Sequence, residues 1–446
     1  MRSLFITLCY ASFFIVGIVA PFVLTLGYLW VDSFFPQALA YSLITDLRVS
    51  LIIGTAALGG YFLLDRRDPP RVCLISVLLV LLAGWVTLST FFWAVVPGPA
   101  VDRWNVVVKT LIFAAFIPNV IRSRIQIEAF LQIWLFGFAI NFLPPGLKAL
   151  ISRPTYGHDL GIATTSLSND ARLAMIALML VPIILFLRQH TKILPANWLT
   201  GAMYLTMIVI AFGAAYGTYE RTAVIVAAVL AAMFWLKSRR KVLATAALAM
   251  VALVGVNLAP ADWLDRMGTI TEYKEDRAAA SRLEVWEWTF NYVLEHPLGG
   301  GFSMYEIDNL GGVKPDGSRA GLAYHNDFFE VLGEQGWPGL AIFLTLIATT
   351  VVYLRGAARR ASRFTHLAWC RDLATALQMA LVLQLAGGSF VAMGFHPPLY
   401  VIFALSISLR EYVHRVEKAS ERATSAISGF VERGIASPAI KYADPV

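Results

Sequence analysis

The segment 324–340 carries the side chains most suited to chemistry, a histidine and three acids in the sequence YHNDFFEVLGEQGWPGL. Asp327 followed three residues later by Glu330 predicts a capping box, and therefore a short helix that ends near Gly336. His325 would then precede a helix N-terminus, where the positive end of the helix dipole disfavours imidazolium. A neutral imidazole can accept a proton, so we interpret His325 as a general base.

The residues that neighbour His325 favour a general base over a histidine that only caps a helix or binds a carbonyl oxygen. A loop of this length needs no charge in order to fold, yet its acids crowd around the imidazole. Three neighbours are predicted to contact a substrate, namely Tyr324, Asn326 and Glu334.

Two arginines are candidates for anion recognition. Arg221 begins a predicted membrane span within the sequence YERTA. Its alternatives are an ion pair with Glu220 and a side chain that only reaches the membrane interface. Arg282 follows Ser281 in a second predicted capping box, SRLE, which would open an amphipathic helix at the membrane interface. Backbone N–H groups together with a guanidinium make a good phosphate site, although Arg282 could equally be a solvated side chain.

Weaker candidates lie in or beside a second loop, 150–172, where Arg153, Tyr156 and Arg172 could add contacts to an anionic headgroup. A solvated role is the simpler interpretation for these three. Arg103 is weaker still, and His396 before two prolines is interpreted as a structural break between spans. The sequence has no cluster with metal-ligand spacing, no P-loop and no dinucleotide fingerprint, so we expect neither metal nor cofactor.

The composition is that of an all-α polytopic membrane protein. Of 446 residues, 58% are hydrophobic and only 15% are charged, whereas soluble domains carry about 25% charge. The net charge of +7 arises from basic residues between apolar spans, which indicates membrane topology rather than nucleic-acid binding. The predicted spans number about twelve. They are 4–28, 46–64, 72–95, 106–121, 126–149, 173–188, 198–216, 222–236, 242–258, 338–354, 373–395 and 397–411.

Basic residues concentrate in alternate loops, and the positive-inside rule makes those loops and both termini cytoplasmic. The chain then divides into an N-terminal bundle (1–258), a large periplasmic loop with short helices (259–337), three further spans (338–411) and a cytoplasmic tail (412–446). His325, Arg282 and Arg221 all fall on the same side of the membrane as this large loop in this topology.

An outer-facing histidine with two arginines beside lipid suits a lipid-linked diphosphate substrate. The arginines would neutralise the leaving diphosphate, and the histidine would take a proton from an acceptor hydroxyl. The predicted reaction is therefore glycosyl transfer from a polyprenyl diphosphate. The alternatives of other classes are a transporter of lipid-linked glycan, which would need a continuous polar path through the spans, and a scaffold for envelope assembly.

The segment HNDFFEVLGEQG at 325–336 resembles the signature of the O-antigen ligase/polymerase superfamily. The order of motifs is also similar, with Arg-Thr-Ala at 221, Ser-Arg at 281, LGGG at 298 and then the histidine. This resemblance covers about 200–345. Further upstream, APF at 20, Trp30 and WVTLST at 85 resemble the O-glycosylation ligases associated with exosortase systems.

The resemblance implies a GT-C-like helical membrane fold and metal-independent transfer from an undecaprenyl diphosphate-linked glycan. It implies functional roles for His325, Arg282 and Arg221, the positions that match the family's motif residues. The acceptor is a glycan, a lipid or a protein, and a polymerase that joins lipid-linked repeats is the alternative within the superfamily.

Overall fold

A computed structural model describes residues 2–40, 47–64, 72–152, 167, 169–268, 277–306 and 323–432. All regular secondary structure in these ranges is helical. The α-helices are α1 (Arg2–Val19), α2 (Phe22–Phe34), α3 (Pro36–Leu39), α4 (Val49–Leu64), α5 (Leu74–Phe92), α6 (Pro97–Val120), α7 (Arg124–Ile151), α8 (Asp170–Met179), α9 (Val181–His190), α10 (Trp198–Gly217), α11 (Arg221–Lys237), α12 (Lys241–Leu258), α13 (Ala261–Gly268), α14 (Arg277–Glu295), α15 (Asp327–Ala361), α16 (Ala368–Gly388) and α17 (Pro397–Glu432).

Five helical segments in the described part of the chain are long and apolar enough to cross a membrane. They are Leu74–Phe92, Arg124–Ile151, Asp170–His190, Trp198–Gly217 and Asp327–Ala361. The protein is thus an all-helical membrane protein in the ranges described. The number of twelve spans, the GT-C-like architecture and the periplasmic assignment of 259–337 stay predictions.

The segment Asp170–His190 is the centre of the bundle. Its apolar stretch is 83% buried, against 33–67% for the other four segments. It comprises α8 and α9, which α7, α10 and α16 contact. A helix that is apolar on all sides is compatible with such an interior position.

The predicted first span, 4–28, is wrong as a single helix. The structure ends α1 at Val19 and begins α2 at Phe22, with Pro21 between them. Proline disfavours helical backbone at the preceding residue, so the chain breaks there. The two helices pack together closely enough that a Cβ on Gly17 would lie 2.5 Å from Leu24 Cγ.

Both predicted capping boxes are also wrong. Helix α14 already begins at Arg277, so Ser281 lies inside it rather than at its N-cap. The N-cap of α15 is Asn326, whose side chain accepts hydrogen bonds from the amides of Phe328 and Phe329. Asparagine caps as well as aspartate does, and the shift by one residue leaves Glu330 available for other partners.

Helix α15 has a sharp kink at Gly336, where φ is +66° and ψ is −169°. The kink confirms that a first helical segment ends at this glycine. The backbone of the glycine-rich turn after α14 packs directly against Gly336. A Cβ on Gly336 would lie 2.3 Å from the Pro297 carbonyl oxygen. Only glycine permits both this φ and this approach.

The kink leaves carbonyl groups at the end of the first segment without helical partners. The amide of Gly300 donates to Gly333 O at 2.9 Å, and the amide of Gly301 donates to Glu334 O at 2.8 Å. The indole Nε1 of Trp85 in α5 donates to the next carbonyl, that of Gln335, at 2.9 Å. The turn 297–301 and α5 therefore fix the segment that follows His325.

Candidate functional site

His325 lies two residues before α15 in a backbone conformation with φ +47°. Non-glycine residues rarely adopt this left-handed region, at a cost of about 1–3 kcal/mol, and histidine is among those that do so more often. The side chain is half-buried. Burial lowers the pKa of His325 first, and the charges of Arg282 and Arg172 lower it further. This direction agrees with the predicted neutral imidazole, but its causes are burial and two guanidiniums rather than the helix dipole, and the neutral state stays a prediction.

Arg282 reaches this site on α14, which is tied to the segment before α15. The indole Nε1 of Trp286, one turn after Arg282, donates to the carbonyl oxygen of Tyr324 at 2.8 Å. The same indole stacks on Phe329 in the first turn of α15, with ring centroids 5.2 Å apart and planes parallel within 1°. The two contacts place α14 beside His325.

Arg172 reaches the site from the central helix α8. It follows the N-cap Asn169, and its Nη2 donates to the carbonyl oxygen of Ala392 at 3.3 Å. Its Nε is buried and has no hydrogen-bond acceptor among the described residues. A buried guanidinium N–H without an acceptor is costly, and a bound anion or water would satisfy it.

Two acids in the first turn of α15 bind the turn between α16 and α17. Asp327 is fully buried, and its Oδ1 accepts from the amide of Met393. One oxygen of Glu330 accepts from the amide of Gly394 at 2.8 Å. The other oxygen of Glu330 pairs with Arg103 Nη2 at 3.2 Å. Both oxygens of Glu330 are therefore engaged by backbone and a cation, whereas the Oδ2 of Asp327 is buried and has no hydrogen-bond partner among the described residues.

His396 completes this buried cluster, which the sequence interpretation as a mere break between spans did not anticipate. Its imidazole is 5% exposed, and its Nε2 has no hydrogen-bond partner among the described residues. Burial lowers the pKa of His396 well below its ordinary value, and the charges of Arg103 and Arg172 lower it further. Helix α17 does begin at the following Pro397, so the break is real as well.

The three predicted substrate contacts around His325 serve as supports in this structure. Asn326 caps α15 and donates to the carbonyl of Ser389 at 3.1 Å. Glu334 is 2% exposed and accepts from the amide of Ser303 at 3.0 Å. Tyr324 is 1% exposed and meets the Tyr305 ring edge-on. Contact of these side chains with substrate stays a prediction.

Arg221 is the first residue of α11, as predicted. A Cβ on Gly387 of α16 would touch both Met175 of α8 and Val226 of α11. These contacts show that α8, α11 and α16 meet at Met175, Val226 and Gly387. Arg221 lies five residues, or about 7.5 Å, before Val226 along its helix.

Arg172 precedes Met175 in the same way, so both arginines lie at the N-terminal ends of adjoining helices. At the C-terminal end of α16, a Cβ on Gly388 would collide with the Asp327 carboxylate. Arg221, Arg172 and the start of α15 therefore share one end of the bundle. The charges that shift the pKa of His325 are those of Arg282 and Arg172, and Arg221 is not among them. Arg153 and Tyr156 lie outside the described residues.

The arrangement combines a neutral base with guanidiniums that can neutralise an anion. In the described ranges, no group of three or more His, Cys, Asp or Glu side chains could hold a metal ion. Metal independence remains an expectation from the family resemblance.

Two matches to protein families divide the chain. Residues 206–344 match the family described as O-Antigen ligase, and this segment contains Arg221, Arg282 and His325. Residues 1–192 match a family of unknown function, which contributes Arg103 and Arg172 to the site. No curated protein matches the chain. The match over residues 206–344 supports the O-antigen ligase superfamily that the motif around His325 predicts, whereas the resemblance to exosortase-associated ligases stays a prediction.

Proposed function

We propose that this protein transfers a glycan from undecaprenyl diphosphate to an acceptor hydroxyl at the periplasmic face of the bacterial inner membrane. The observation that carries the proposal is the position of Arg282 and Arg172 around His325: α14 is bonded to the residue before His325, Arg172 is held by the turn that the first turn of α15 also binds, and both charges lower the pKa of His325. The family match supports a ligase- or polymerase-type enzyme that works on a lipid-linked glycan.

The step follows from the charges. The acceptor oxygen attacks the anomeric carbon of the donor sugar while its proton passes to the imidazole of His325. The bond from that carbon to the phosphate oxygen breaks, and the electron pair leaves with the undecaprenyl diphosphate. Arg282 and Arg172 stabilise the charge that develops on the leaving diphosphate. The imidazolium then releases its proton to water.

Arg221 binds a second phosphate of the same diphosphate in this proposal. It stands at a helix N-terminus at the same end of the bundle as Arg172. Backbone N–H groups at a helix start favour phosphate oxygens. We place it on the phosphate farther from the imidazole, because it does not contribute to the shift in the pKa of His325.

The bilayer holds the donor's polyprenyl chain. Apolar residues of α14 and the turn after it remain exposed beside the site, and Phe290 meets the Trp337 ring edge-on just after the kink in α15. Tryptophan and phenylalanine at such a position suit the membrane interface. With both termini cytoplasmic, this end of the bundle faces the periplasm.

The test is transfer in reconstituted vesicles that hold lipid-linked glycan and a candidate acceptor. Wild-type protein should move the glycan to the acceptor and release undecaprenyl diphosphate in equal amount. Release without a glycosylated product would contradict transfer. Products one block longer indicate a ligase, whereas a ladder of lengths on the lipid indicates the polymerase alternative. Movement of intact donor across the bilayer, with no product, indicates a transporter.

A further inference from the structure

Residues 85–103, from α5, α6 and the turn between them, support the His325 segment and the adjoining turn at Gly300 through hydrogen bonds. Trp85 donates to the Gln335 carbonyl oxygen at 2.9 Å, and the Ser89 hydroxyl donates to Gln335 Oε1 at 2.7 Å. In the turn, the amide of Val95 donates to the carbonyl of Gly300 at 2.8 Å. These three contacts all lie at the far end of the first segment of α15, about the kink.

One contact from the same part of the chain reaches the end nearer to His325. Arg103 Nη2 lies 3.2 Å from Glu330 Oε1, with 7% of the Glu330 side chain exposed and 29% of the Arg103 side chain exposed. The second Glu330 oxygen is occupied by the amide of Gly394. A buried carboxylate that stays ionised is stabilised by a cationic partner, and truncation of one partner leaves an uncompensated charge.

Through Glu330, the ion pair joins three parts of the fold. It links α6, the first turn of α15 and the turn between α16 and α17, which also holds the carbonyl of Ala392 that accepts from Arg172. Movement of Glu330 would therefore displace the start of α15, and His325 with it. It would also displace the Ala392 carbonyl, the acceptor that orients Arg172.

We propose that Arg103 is a positioning residue: through Glu330 it fixes the geometry between His325 and Arg172, although it touches neither reacting group. The proposal rests on the proposed function for its catalytic consequence. It extends the site beyond the O-antigen ligase match at 206–344 to the N-terminal region that matches a family of unknown function. The competing assignment is that Arg103 contacts the substrate phosphate directly.

A double-mutant cycle separates the two assignments. The variants are Arg103→Met, Glu330→Gln and the two combined, with Arg103→Lys as the conservative replacement. The matched control is Arg363→Met, which removes a similar ion pair, 3.6 Å to Glu417, whose arginine is 72% exposed. Thermal melting in detergent confirms that each variant is folded.

We expect Arg103→Met and Glu330→Gln each to lower kcat by roughly ten- to a hundredfold, as a misplacement of about 1 Å does. The KM for the donor should stay within about twofold, because binding contacts are retained. The double variant should lose no more than either single variant, since each disrupts one interaction. Arg103→Lys should restore most of kcat, and Arg363→Met should not change it. Independent, multiplicative losses, or a raised donor KM for Arg103→Met with kcat intact, would overturn the positioning role.

A second measurement does not depend on the reaction. Diethyl pyrocarbonate acylates the neutral imidazole of His325, and mass spectrometry of its peptide gives the rate. Arg103→Met and Glu330→Gln should raise this rate several-fold and equally, and the double variant should add nothing further. An unchanged rate would contradict the positioning role even if wild-type protein transferred glycan. If the acylation rate of His325 rose equally in both single variants and no further in the double variant, but the wild-type protein transferred no glycan, only the proposed function would be contradicted.

Discussion

The indole nitrogen of Trp286 lies 2.8 Å from the carbonyl oxygen of Tyr324 and donates a hydrogen bond to it. This bond connects the helix that carries Arg282 to the residue that precedes His325. It spans 38 positions of the chain, and no local pattern in the sequence requires it.

Trp286→Phe tests whether this connection sets the distance from Arg282 to His325. Phenylalanine can keep the stacking on Phe329 but removes the indole N–H. We expect kcat to fall roughly ten- to a hundredfold with little change in melting temperature. The matched control is Trp235→Phe, which removes an exposed indole hydrogen bond to Thr245. Equal transfer rates for the two variants would show that the connection has no role in catalysis.

Transfer should depend on pH through His325, whose pKa lies below its ordinary value because of burial and the charges of Arg282 and Arg172. The base form is neutral, so the rate should fall as the pH decreases through the lowered pKa. Arg172→Gln removes one positive charge and should move this acidic limb to higher pH. The control Arg188→Gln lies sixteen residues further along, roughly 24 Å away, and should leave the limb in place. A limb that stays fixed in Arg172→Gln would contradict the proximity of the two groups.

The kink in α15 makes a prediction about stability. Gly336→Ala places a Cβ at φ +66° and 2.3 Å from the Pro297 carbonyl oxygen. The backbone conformation alone costs about 1–2 kcal/mol, so the melting temperature should fall clearly. Gly356→Ala lies later in the same helix, where an added Cβ has no atom within 4 Å. That control should be neutral or stabilising by up to about 1 kcal/mol.

His396 makes stability depend on pH. In the unfolded chain its pKa is about 6.5, whereas burial and the charges of Arg103 and Arg172 hold the folded value well below that. Below about pH 6.5 the unfolded chain binds a proton that the folded chain does not, so stability falls as the pH decreases. His396→Gln should flatten this dependence between pH 6.5 and pH 5, when compared with the exposed control His366→Gln. An unchanged slope would contradict the buried neutral state.

The elements that local sequence determines were predictable. The helix start at Arg221 and the end of a helical segment at Gly336 follow from turn chemistry. The lowered pKa of His325 does not, because burial and two arginines distant in the sequence cause it. Two wrong predictions also have local causes. Asn326 rather than Asp327 caps α15, and Pro21 interrupts the apolar stretch that was predicted as one span, 4–28.

The partners of His325 were not predictable in the same way. A solvated role is the simpler interpretation of Arg172 from sequence alone, and Arg103, which contacts Glu330, has even less to distinguish it; they lie 153 and 222 positions from His325. Such contacts are set by helix packing rather than by spacing.

The most direct test of the proposed reaction compares wild-type protein with His325→Gln in vesicles that contain lipid-linked glycan. Glutamine keeps hydrogen-bonding capacity and approximate size but cannot accept the proton. We predict that His325→Gln binds the donor within about twofold of wild type and transfers glycan at least about a hundredfold more slowly. Transfer by His325→Gln at the wild-type rate would contradict the role of His325 as the base.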